Sequence, residues 1–166
     1  MPPRRRTPAR LLHSVLILAP LIPGGPIETR ILAEYPIWAI ASFNLVISVI
    51  VLAALPLAWI GRRGGRRVAI GSVLDGAGFT AIYALDMLKI FPVSETPMSP
   101  TLRVMAFAGL ATGLAVVASA LADLAQQPPD RAGAPAIPRK VVWLLVALAL
   151  GLIVAAVVYG TIGAVG

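Results

Sequence analysis

PIWAIASFNLVISVIVLAALPLAWIGRRGGRR, residues 36–67, reads as a membrane-crossing helix followed by a basic turn. Its first 25 residues, Pro36–Ile60, contain no ionisable side chain. At 1.5 Å per residue that run reaches about 37 Å, more than the roughly 30 Å hydrocarbon core of a bilayer. The turn that follows carries Arg62, Arg63, Arg66 and Arg67. Clusters of this kind accumulate on the cytoplasmic side of membrane proteins.

Working outward, four more apolar stretches flank this one. The expected spans are about 9–24, 36–60, 68–92, 101–124 and 141–165, within a single helical membrane domain covering residues 1–166. The fold class expected is an all-α integral membrane bundle of five transmembrane helices, or four if the first does not span. That first stretch, Leu11–Ile22, runs for only 12 residues, behind Arg4, Arg5, Arg6 and Arg10. It resembles the start of a secretory signal, but prolines at 20, 23 and 26 occupy the places of a small-residue cleavage site. A retained helix is the expectation.

Composition agrees. The chain has 166 residues, 58% hydrophobic and 13% charged, with a mean hydropathy of +0.89. Soluble domains carry about 45–50% apolar and about 25% charged residues, and a chain this short has too little interior to hide the excess. The balance of 14 Lys+Arg against 7 Asp+Glu gives a net charge of +7. With the amino terminus inside, the cytoplasmic segments hold 11 basic residues: Arg4, Arg5, Arg6 and Arg10; Arg62, Arg63, Arg66 and Arg67; Arg131, Arg139 and Lys140. The outer segments hold Arg30 and Arg103. The bias alternates at every loop, so the expected location is a bacterial inner membrane, N-in and C-out. The Ala-, Arg- and Pro-rich usage fits a GC-rich bacterium. No aromatic platform surrounds the basic clusters, so their expected partners are anionic lipid headgroups rather than nucleic acid.

The connections differ in character. Residues 61–67 form a tight basic turn, 91–101 a proline-stiffened one, and 126–138 an extended linker with prolines at 128, 129, 135 and 138. Ile27–Tyr35 has the spacing of a short interfacial helix. Trp38, Trp59, Trp143 and Tyr159 fall near span ends, where amphipathic rings sit at headgroup level.

Candidate chemistry concentrates in the third span. Asp75 and Asp86 are eleven residues apart and share nearly one helix face. Carboxylates cost several kcal/mol in hydrocarbon unless paired, protonated or wet, which makes both functional candidates. Lys89, three residues beyond Asp86, is placed to pair with it. Asp75 has no such neighbour. It is expected either to bond a group such as His13 across a packing seam or to serve as a protonatable carboxyl in a polar path. Ser72, Gly76, Thr80 and Ala84 make a small-residue ridge beside it that invites a close helix. Asn44, with Ala41 and Ser48, is expected to face the third span. Thr112 and Ser119 are expected to bond their own backbone. Gly151, Ala155, Ala156, Gly160 and Gly163 give the last span a packing or partner surface.

No cysteine and one histidine leave no thiolate, disulfide or His/Cys zinc set, and no Ser/His/Asp or phosphate-loop constellation is present. His13 remains an available haem or pigment ligand. The leading functional expectation is a non-enzymatic accessory subunit of a membrane assembly, joined to other subunits or to copies of itself. The alternative is a homo-oligomeric proton- or ion-coupled transporter using the third-span aspartates, with Asn44 nearby. A pigment or haem binder through His13 is the third. The cofactor, if any, is unknown from the sequence.

Overall fold

The structure, a computed structural model, describes residues 7–18, 32, 34–61, 65–126 and 139–165. These residues form five helices and no strand: α1 (Thr7–Leu18), α2 (Ile37–Gly61), α3 (Arg66–Met87), α4 (Pro100–Gln126) and α5 (Arg139–Val165). Four of them, α2 to α5, are long and apolar enough to cross a membrane. The 12 residues of α1 rise only about 18 Å, short of a span within the described part of the chain. The expected interfacial segment lies mostly outside the described residues, as do Arg62 and Arg63 of the basic turn.

The helices are arranged as a ring with an appendage. α1 packs on α2, α2 on α3, α3 on α4, and α4 back on α1, with slight contact across the ring between α1 and α3. α5 rests mainly on the outside of α2. The ring interior is filled by Leu11, Ile47, Ala54, Phe79, Tyr83 and Val116, among others. Neighbouring helices run antiparallel. Thr7 at the start of α1 lies beside Asp123 near the end of α4, and a Cβ on Gly61 at the end of α2 would meet Pro8.

The α3–α4 contact is the most extensive, and glycine makes it possible. A Cβ on Gly76 would stand 2.8 Å from Val116 Cγ1. One on Gly113 would stand 2.7 Å from Thr80 Oγ1 and 3.0 Å from its backbone nitrogen. At Gly109 the flat face of Tyr83 occupies the space. α2 meets α3 differently, with Leu57 filling the gap above Gly71 and Ile50 the gap above Gly78.

Chain breaks follow local chemistry. Gly65 enters α3 at φ 133°, a conformation open to glycine and strained for other residues. Ser99 caps α4, its Oγ accepting from Leu102 N–H at 3.1 Å, with Pro100 at the first helical position. α3 ends five residues before the expected boundary at 92. Its last turn closes through a Schellman motif, Lys89 N–H donating to Asp86 O at 3.1 Å and Ile90 N–H to Leu85 O at 2.9 Å. Lys89 itself adopts φ 54°, the left-handed position usually given to glycine. The apolar residues beyond it form a turn in which Phe91 stacks edge-on with Tyr35 and Phe43, at centroid distances of 5.1 and 4.9 Å. The Tyr35 hydroxyl accepts from Val93 N–H at 2.8 Å.

Replacing Gly113 by Ala should lower stability by about 1–3 kcal/mol, because the new methyl meets backbone that cannot step aside. Gly151→Ala, with nothing within 4 Å of the new methyl, should cost nothing. Unfolding midpoints in mixed detergent micelles compare the two; equal midpoints would contradict the close α3–α4 seam.

Candidate functional site

The described residues bury few polar side chains, and their helices determine where they meet. On α3, Gly71 and Gly78 face α2 while Gly76 and Thr80 face α4. Asp75 lies between these two flanks by helical geometry, on the side turned to the ring interior. It is 6% exposed, and its Oδ2 has no hydrogen-bond partner. Ser72, one turn away, returns its hydroxyl to Val68 O at 2.9 Å, and Thr80 does the same to Gly76 O at 2.8 Å. Neither hydroxyl proton is therefore directed at the carboxyl. The Tyr83 hydroxyl, two turns further along α3, is also buried without a partner.

His13 is not the neighbour of Asp75. It is exposed on α1, whose buried face carries Thr7, Leu11 and Ser14 instead. The helix period explains the correction: positions 7, 11 and 14 form one stripe, and 13 lies off it. Asp86 is half-buried near the end of α3 and has its own interaction. Lys89 is exposed beyond the helix, so the expected spacing of three along one helix face does not apply to this pair.

Asn44 is the second correction. It is fully buried but faces α5, where its Nδ2 donates to Thr161 Oγ1 at 3.3 Å. The α2 side that meets α3 is the one bearing Ile50 and Leu57, which drop onto glycines; Asn44 lies around the helix from them. Its Oδ1 and the Ser48 hydroxyl one turn on are both buried and unpartnered. Near the same end of α5, Leu32 N–H donates to Ala164 O at 2.9 Å. Leu32, Ile40 and Ala164 form a small apolar cluster there.

Two polar contacts were not anticipated from the sequence. Thr7 Oγ1 donates to Asp123 Oδ2 at 2.7 Å, and Arg10 Nη1 donates to Ala115 O at 2.8 Å. Together they tie α1 to α4. Residues 7 and 123 share no local pattern that could have linked them, although a charged residue late in an apolar helix was a signal that a partner exists. Thr112 and Ser119 bond to Ala108 O at 2.7 Å and Val116 O at 3.0 Å, within their own helix. Arg66 and Arg67 are exposed at the start of α3. Among the described residues no group of three or more His, Cys, Asp or Glu side chains is placed to hold a metal ion.

Residues 3–134 match a family described as a domain of unknown function, DUF8051. The chain belongs to that family. The matched region takes in the whole α1–α4 ring and stops before α5. No curated protein and no solved structure matches the chain.

Asn44→Ala should weaken the α2–α5 contact by about 0.6–1.7 kcal/mol, the range measured for hydrogen bonds between membrane helices. Tyr83→Phe and Ser48→Ala should leave stability unchanged or raised, because each removes a buried hydroxyl that has nothing to bond. The three unfolding midpoints, measured side by side, check the assignment.

Proposed function

We propose that this protein is a multi-pass bacterial inner-membrane subunit, amino terminus in the cytoplasm, that acts without catalysis by packing against other membrane components. The observation that carries this reading is the lopsided burial of α5. It rests mainly on one helix and leaves Leu144, Leu148, Leu152, Val154 and Ile162 exposed along its length. The rest of the fold supports it. The ring interior is closed by side chains. The small residues Gly151, Ala155 and Gly163 lie exposed among the apolar ones, where a neighbouring helix can approach closely.

The orientation rests on charge. The starts of α1 and α3 and the ends of α2 and α4 lie at one end of the ring. In sequence, all 11 basic residues of the cytoplasmic set adjoin that end, where anionic headgroups would meet them. Reporter fusions at the two termini should appear on opposite faces of the membrane. Both on one face would overturn the five-span topology.

A transporter is the second reading, favoured by the buried, unpartnered Asp75 carboxyl oxygen. The two readings separate cleanly. Purified in mild detergent, the protein should run as a particle heavier than one chain, and Asp75→Asn should leave that mass unchanged. A lone monomer with no companion would contradict the subunit reading. A pH-driven flux into liposomes that Asp75→Asn abolishes would establish the transporter instead.

A further inference from the structure

We propose that α5 is an exchangeable helix: the α2 face bearing Asn44 and Ser48 accepts the α5 of a second copy of this chain, giving a closed dimer in which each protomer supplies Thr161 to its partner's Asn44. This goes beyond the subunit reading and does not depend on it.

The argument starts from connectivity. Helices consecutive in sequence are usually neighbours in space, and α1 to α4 obey this around the ring. α5 does not. It follows α4 but docks on α2, which lies opposite α4 across the ring. With helix axes about 8–10 Å apart, the chain must cover on the order of 25 Å to pass from the end of α4 to the start of α5. Residues 127–138 connect them, and twelve residues extend to about 40 Å at most. That reach exceeds what the connection within one chain requires, and it also spans to the α2 of a copy placed alongside.

The docking surface is equally indifferent to which chain supplies the helix. α5 is held by an Asn44–Thr161 hydrogen bond of 3.3 Å, a main-chain bond from Leu32 to Ala164 of 2.9 Å, and the apolar cluster around Ile40. The same contacts form when α5 comes from a partner, so exchange changes no local energy term. Such exchange of an identical element is a low-cost route to symmetric dimers. The ring also stands apart from α5 in packing: among the described residues, its core cluster draws no side chain from α5. Val146, Val154 and Val158 of α5 are exposed, and among the described residues α2 is the one ring helix that α5 contacts extensively.

The chain contains no cysteine, which makes the test direct. One full-length copy carries Asn44→Cys and a second, differently tagged, carries Thr161→Cys; the two are expressed together and oxidised in the membrane. The result expected is a disulfide-linked product of twice the 17.3 kDa of one chain, reversed by reductant and containing both tags. The Leu32→Cys and Ala164→Cys pair should behave alike. Linkage only inside a single chain carrying both cysteines of a pair, with none between chains, overturns the proposal. Failure of both pairs to link at all overturns it too, since α5 would then not lie on α2. An equal yield from Asn44→Cys with Leu148→Cys, a position on the exposed side of α5, would mark chance collision and also overturn it.

Discussion

Everything in this fold depends on how closely the α3 and α4 backbones approach. In hydrocarbon there is no gain from hiding apolar surface, because lipid tails are as apolar as leucine. Helices then hold together through dispersion and the few polar bonds they share, and both fall away steeply with distance. Gly76 and Gly113 remove the side chains that would hold the two helices apart. Tyr83 lies flat over Gly109 for the same reason. With that pair fixed, α2 seats Ile50 and Leu57 into the glycine gaps on the other side of α3, and α1 closes the ring through Thr7 and Arg10.

Much of this was legible in the sequence, and the physics says why. A 25-residue run without charge has one stable form in lipid, since each backbone N–H and C=O must find a partner inside its own segment. The ends of α2 and α4 therefore fall within a residue or two of the apolar boundaries. Small residues at spacing four on α3 announced a close neighbour, and that neighbour is α4. The aromatic rings Trp38, Trp59 and Trp143 are exposed near helix ends.

Other features were not legible. The stop of α3 at Met87 is made by a left-handed Lys89, and a lysine gives no hint that it will adopt a glycine conformation. Hydropathy ran on through Ile90, Phe91 and Val93 because it counts apolar atoms and is blind to a backbone reversal. Helical periodicity showed that Asn44 and Ser48 share a face, but a period says nothing about which neighbour that face meets. The sequence order of the helices suggested α3; the glycine gaps took Ile50 and Leu57 there and left Asn44 to α5. Asp75 was legible as a candidate carboxyl among small residues, while the unpartnered state of its Oδ2 could only be seen in three dimensions.

The Leu32–Ala164 bond joins two main chains. The bond itself is thus made whatever side chains the two residues carry, although both side chains are buried in the cluster around Ile40. Discrimination between a matching and a foreign helix falls instead to side chains: the Asn44 amide with Thr161, and the fit of Leu32, Ile40 and Ala164. Fidelity belongs to a handful of side chains, whereas adhesion is shared with a feature that every polypeptide possesses.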